Sequence, residues 1–287
     1  MNEQAYVTRL TRASGSNFYY SFLFLPRAQR EAIHAVYAFC REVDDSVDGA
    51  ASPEEAARLV AFWRAELASA CGDGNGPTHP IARSLAAHLK AYPIRRRDLE
   101  EIIEGVAMDI RPGRFRTFEE LRGYCHRVAS AVGLVCIEIF GYRDPAARDY
   151  AVTLGLAFQL TNILRDVKAD AERGRIYMPI EEMERFGCRE EDLGAASPRA
   201  PFVELMRFQA GRARDLFAQA RSLLPERDRP SLFAAEIMRA IYEAILDKIE
   251  KRGYDVLRGR VSLSRARKLL IATRVYLKSR SLPATAA

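Results

Sequence analysis

Apolar residues recur at steps of three and four along nearly all of this 287-residue chain, and no period-2 alternation is long enough to make a useful strand. "LPRAQREAIHAVYAFCREVDD" sets Ile33, Val36, Tyr37, Cys40, Val43 and Val47 on one helical stripe, with Gly49 as the expected C′ stop. "SPEEAARLVAFWRAELASA" opens with Ser52 as N-cap, Pro53 at the first helical position and Glu55 closing a capping box. "TFEELRGYCHRVASAVGLVCIEIFG" repeats the device with Thr117 and Glu120 and stops at Gly141. "DPAARDYAVTLGLAFQLTNILRDVKAD" begins at an Asp-Pro cap and runs for about seven turns, with Gly174 as a stop. Three more helical stretches cover roughly 202–224, 229–252 and 262–280. The turn-rich "CGDGNGPTHP" at 71–80 and the polar break at 188–201 read as connections, and no repeat is visible. The expectation is an all-α, single domain over 1–287, with a disordered tail from about 281.

Composition narrows the function. At 48% hydrophobic the chain can bury a large core. A net charge of +6 suits anionic partners: nucleic acid, anionic lipid or phosphorylated small molecules. The arginines are scattered rather than gathered into a basic stripe with interleaved aromatics, which argues against nucleic acid. The first residues lack an apolar signal region, and no apolar run approaches the roughly 18 residues that cross a bilayer. Five cysteines, odd in number and without a CxxC pair, fit a reducing cytosol and argue against a zinc site or a disulfide framework.

Two segments place charge where a helix least wants it. "REVDDSVDG" puts three aspartates at a helix's end, where like charges at i and i+4 repel and the macrodipole disfavours anions. Tyr37, Arg41, Asp44 and Asp48 share one face, and Asp45 points into solvent. In "FQLTNILRDVKAD", Gln159, Asn162, Asp166 and Asp170 line one face among core leucines and isoleucines. Polar residues at helical spacing within an apolar helix imply the lining of a cavity. A single such pair is usually surface charge; two pairs, each late in a helix and each beside an arginine, call for a cation. Hard oxygen ligands favour magnesium, which takes one or two carboxylates and completes its shell with water and phosphate. Arg41 and Arg165 suit diphosphate oxygens.

"DDSVD" followed by "NILRDVKAD" resembles the two aspartate-rich motifs, DxxxD and NxxxDxxxD, of the squalene and phytoene synthases. "SGSNFYYSFLFLP", "YCHRVASAVG", "GRIYMP" and "YEAILDKIEKRGYDVLRGRV" extend the resemblance over nearly the whole chain. "FYYSFLFLP" with "YAFCREVDDSVD" is most similar to the bacterial presqualene diphosphate synthases of hopanoid biosynthesis. The resemblance implies the isoprenoid synthase fold, a helical bundle around a central apolar cavity. It implies Mg2+, or Mn2+, held by Asp44 and Asp48 on one side and by Asn162, Asp166 and Asp170 on the other. Arg41, Arg165 and Arg260 would contact diphosphate with Tyr37 and Tyr242, and Gln159 would sit at the reaction centre. Phe18, Phe22, Val132, Gly133 and Leu156 would line channels for the prenyl tails. The chain departs from the commoner "DVGED" by carrying Lys168 and Ala169, and Lys168 is expected to face water.

The implied reaction joins two farnesyl diphosphates head to head and stops at presqualene diphosphate, without NADPH. Squalene, dehydrosqualene or phytoene synthesis is the enzymatic alternative, and a non-catalytic assembly factor the remote one. Amphipathic substrates imply a cytoplasmic protein with peripheral contact at the inner membrane face.

Overall fold

The computed structural model describes residues 3–13 and 16–280, so the tail expected from about 281 lies outside the described residues. Its helices, in chain order, are α1 (Glu3–Ala13), α2 (Asn17–Phe22), α3 (Arg27–Asp48), α4 (Pro53–Ala70), α5 (Pro80–Leu89), α6 (Arg96–Ala107), α7 (Phe118–Cys125), α8 (Ala131–Phe140), α9 (Ala147–Glu172), α10 (Ile180–Phe186), α11 (Glu190–Leu193), α12 (Ala200–Leu223), α13 (Phe233–Lys251) and α14 (Arg265–Arg280). Among the described residues there is no strand; one parallel bridge joins Arg114 to Ile176.

The local stops and starts follow their chemistry. Ser52 accepts from the Glu55 amide and Thr117 from the Glu120 amide. Each glutamate reaches back one residue further than a capping box requires, to the Ala51 and Arg116 amides respectively. Gly141 ends α8 at φ 82°, which suits glycine. Gly49 differs from expectation: it caps α3 with φ −97°, in the right-handed region, and its N–H donates to the Asp45 carbonyl.

α9 is the axis of the bundle. It packs along α12 and touches α7, α8, α11 and α13. Its Leu154, Leu160, Ile163, Leu164 and Val167 join the core with Phe39 of α3 and Phe202 and Phe217 of α12. Between α7 and α8 the helix widens into a π turn, His126–Ser130. The backbone around this turn is approached very closely: a Cβ on Gly155 of α9 would fall 2.6 Å from the Ser130 Cα. The Ser130 hydroxyl donates to the Val152 carbonyl at 2.7 Å, stitching the turn to α9.

The stretch Phe118–Phe140 is, by length and composition, long and apolar enough to cross a membrane, contrary to the reading of the sequence alone. Its most apolar window is 56% buried, and α7, the π turn and α8 pack on α6 and α9. Its apolarity is that of a helix through the middle of a domain.

Candidate active site

α3 and α9 bring their polar faces to one cavity of ≈ 510 Å³. Tyr37, Arg41, Asp44 and Asp48 line it from α3, and Gln159, Asn162, Arg165, Asp166 and Asp170 from α9. Tyr242 of α13 and Arg260, in the loop after it, complete the wall with Phe18, Phe22 and Val132. An adjoining apolar recess of ≈ 170 Å³ shares Phe18, Phe22, Val132, Gln159, Asn162 and Tyr242, and adds Gly133. Leu156 is the exception to the expected set. It is buried in the core but borders neither cavity, because its side of α9 turns away from the face carrying Gly155, Phe158 and Gln159.

The charges are arranged in two clamps. Asp48 accepts from Arg173 at 2.8 Å and from Arg175 at 2.6 Å, so the segment following α9 grips the end of α3. Asp166 pairs with its neighbour Arg165 and, at 2.8 Å, with Arg260. Burial would raise the Asp166 carboxyl, but its hydrogen bonds to Arg165 and Arg260 outweigh this and hold it below the usual range. The other two aspartates lack such a clamp. Burial, with Asp48 nearby, pushes Asp44 up to about 6, and burial, with Asp166 nearby, pushes Asp170 up to about 7. Asp45 is half-exposed and pairs with Arg41.

Further groups at this cavity were not singled out as site residues from the sequence, Asp109, Arg175 and Tyr177 among them. Asp109, just after α6, accepts from the Tyr124 hydroxyl at 2.8 Å and the Tyr177 hydroxyl at 2.9 Å, and the two hydroxyls are 3.2 Å apart. Burial raises the Asp109 carboxyl despite these bonds. Arg175 and Tyr177 fall in "GRIYMP", whose density of charged and aromatic residues just past a helix stop was the available signal. Nothing around Asp109 marks it as more than one acid among many. Lys168 also departs from expectation. Its ammonium donates to the Leu257 carbonyl at 3.0 Å and so ties α9 to the loop that carries Arg260, rather than facing water.

The donor set fits a hard divalent cation. Among the described residues no three acidic, histidine or cysteine side chains stand close enough to enclose an ion by themselves. Magnesium does not ask for that, since it takes one or two carboxylates and fills its shell with water and phosphate. The Asn162 Oδ1 is buried and accepts no hydrogen bond, an orphaned oxygen one turn from Asp166. Asp44 and Asp170 are cavity carboxylates with raised proton affinity and no compensating ion pair among the described contacts. An oxygen-binding cation would relieve all three. Asp44, Asp48, Asn162, Asp166 and Asp170 are the residues that would hold it.

An all-α bundle whose two acid-bearing helices face each other across a hollow that deepens into an apolar recess defines a synthase of the isoprenoid class. The chain belongs to the squalene/phytoene synthase family, whose model matches residues 11–267. It is similar to phytoene synthase of Mycobacterium tuberculosis, 36% identical over 282 residues that cover 96% of this chain and 92% of the relative. The 15-cis-phytoene synthase of Synechococcus elongatus is 35% identical over 91% of this chain and 88% of the relative. A crystal structure of a dehydrosqualene synthase in complex with ligand superposes with a TM-score of 0.84 at 30% identity, covering 96% of this chain and 97% of that one. Squalene synthase HpnC from Alicyclobacillus acidocaldarius gives a TM-score of 0.78 at 30% identity, over 88% and 94% of the two chains. Members of the family are prenyltransferases that act on prenyl diphosphates.

Proposed function

We propose that this enzyme condenses two molecules of farnesyl diphosphate head to head, in a magnesium-dependent reaction, to presqualene diphosphate and diphosphate. The observation that carries the reading is the pairing across one cavity of two aspartate faces, each with an arginine-clamped carboxylate beside an unclamped one. The stop at presqualene diphosphate rests on the likeness of "FYYSFLFLP" and "YAFCREVDDSVD" to the hopanoid-pathway enzymes.

Arg41, Arg165 and Arg260 would bind the diphosphate oxygens, exchanging their aspartate partners for phosphate. Magnesium, when bound, supplies positive charge that offsets the negative charge gathering on the diphosphate as its carbon–oxygen bond breaks. The allylic carbon left behind is attacked by the C2–C3 double bond of the second substrate, and loss of one proton closes the cyclopropane. Phe18, Phe22, Val132 and Gly133 would hold the tails and keep water from the cation. Tyr37, Gln159 and Tyr242 would fix the reacting carbons between the acidic rim and the apolar recess. The substrates' long tails imply work at the inner membrane face of the cytoplasm, through peripheral contact.

Phytoene synthesis from the longer geranylgeranyl diphosphate is the second reading, favoured by the names of the sequence relatives. Mass spectrometry of products, with the two diphosphates offered separately and NADPH present or absent, separates these outcomes. Presqualene diphosphate from farnesyl diphosphate, unchanged by NADPH, is the expected result. Phytoene from the longer substrate alone would move the enzyme to the second reading. No diphosphate release from either substrate, with or without magnesium, would leave the non-catalytic assembly role.

A further inference from the structure

The helix α14 is built differently on its two sides. Toward the protein it packs on α13 and α2: Tyr276 stacks on Phe24 with ring centres 4.5 Å apart and meets Phe233 edge-on at 5.4 Å. On the outer side, Leu269, Leu270 and Leu277 are 47%, 50% and 61% exposed. Among the described residues the other exposed large hydrophobic side chains are Leu59 and Phe62, on α4, at 36% and 40%, so α14 carries three of the five. At 100° per residue the three leucines, with Ala266 and Thr273, share an arc of about 100°, which the helix's last residue, Arg280, enters and Tyr276 borders. Exposed Arg267, Arg274 and Lys278 follow along one border of that arc, and Arg265 stands on the other.

The charge is one-sided. From Val256 to the end of the sequence there are eight arginines and lysines and no aspartate or glutamate, against a net +6 for the whole chain. A bare apolar stripe between cationic borders is the pattern of a helix that lies in a bilayer interface, its leucines among the upper acyl carbons and its cations at anionic headgroups. A second copy of the chain fits poorly, because a two-fold contact would set these cations against themselves.

We infer that α14 is the surface by which this protein docks on an anionic lipid bilayer, lying flat with Leu269, Leu270 and Leu277 inserted. The inference deepens the proposed function by giving the membrane contact a place. Lys268 and Ser262, at and before the start of α14, line the main cavity, so docking sets the cavity's rim beside the lipid surface. A substrate whose tail rests in the bilayer then has a short path to the diphosphate site.

Vesicle flotation tests this without any assay of catalysis. The intact protein is mixed with vesicles of phosphatidylcholine alone or of phosphatidylcholine with phosphatidylglycerol, at low and high salt. Binding to the anionic vesicles that weakens with salt is expected, with little binding to the neutral ones. A Leu269→Ser, Leu270→Ser, Leu277→Ser variant and a separate Arg267→Glu, Arg274→Glu variant should each bind at least about tenfold more weakly, with wild-type melting temperatures. Their diphosphate release from detergent-dispersed farnesyl diphosphate should stay at the wild-type level, which distinguishes failed docking from failure of the proposed chemistry. Undiminished vesicle binding by both folded variants, or no binding by the wild type, overturns the inference. A wild-type dimer in solution that the leucine variant makes monomeric, without vesicle binding, assigns the stripe to a second copy instead.

Discussion

The two aspartate faces look alike as sequence and are solved differently as structure. On α3 the clamped carboxylate is the outer one: Asp48, at the helix's last residue, is held by two arginines from the far side of the cavity. On α9 the clamped carboxylate is the inner one: Asp166 is held by its own neighbour and by a loop. Each face therefore holds one carboxylate with arginine and leaves its partner, Asp44 or Asp170, unclamped with a raised proton affinity. The clamps also differ in reach. The one on Asp48 ties separate helices together, while half of the one on Asp166 is local. The difference suggests a division of labour, with the Asp48 clamp closing the fold around the site and the Asp166 clamp holding arginines ready for an incoming anion.

The comparison can be broken at the level of chemistry. Asp48→Asn and Asp166→Asn should each lower kcat/KM for diphosphate release from farnesyl diphosphate by about 10²–10³-fold, the cost of removing charge that works on a developing anion. Wild-type rates in both variants would end the proposal that either face holds metal.

Stability separates the clamps next. Arg175 is only 12% exposed, so Arg175→Met leaves Asp48 with a single, exposed partner and should cost about 1–3 kcal/mol in denaturant unfolding. Arg260, 68% exposed, should cost about 0.5 kcal/mol or less as Arg260→Ala while still lowering substrate affinity.

The unclamped pair predicts a pH dependence. Asp44 and Asp170 bind protons more tightly folded than unfolded, so the folded state carries more protons between about pH 4 and 7. Stability in chelator should then fall as pH rises through that window, by on the order of 1 kcal/mol, measured as the urea midpoint at successive pH values. Asp44→Asn with Asp170→Asn should flatten the slope. Arg173, 60% exposed, stands beside Arg260 at the small end: its replacement by alanine should cost ~0.5 kcal/mol or less.

Much of this was legible in the residues. Helix periodicity, the caps at Ser52 and Thr117 and the stops at Gly141 and Gly174 mark the elements because each acts within a few residues. The acidic faces were legible for the same reason: three- and four-residue spacing fixes which side chains share a side. What was hidden depends on contacts across the chain. Arg175 meets Asp48 over a separation of 127 residues, and Lys168 meets the Leu257 carbonyl over 89. Neither partner's local pattern announces the other. Leu156 shows the converse limit, since its apolar character fits a channel wall and the core equally well.

The widened turn at His126–Ser130 has a consequence for register. The wide turn holds about one residue more than an α turn, so taking one residue out of it would restore regular winding with the helix downstream facing nearly as before. Val132 and Cys136 would keep the cavity wall, and Gly133 its place against the Ala151 carbonyl, which a Cβ would approach to 2.9 Å. The change would fall on the bulge itself, where the Ser130 hydroxyl meets the Val152 carbonyl and Gly155 of α9 lies against the backbone, so a one-residue deletion there would separate the bulge's own contact from the phase of the side chains beyond it.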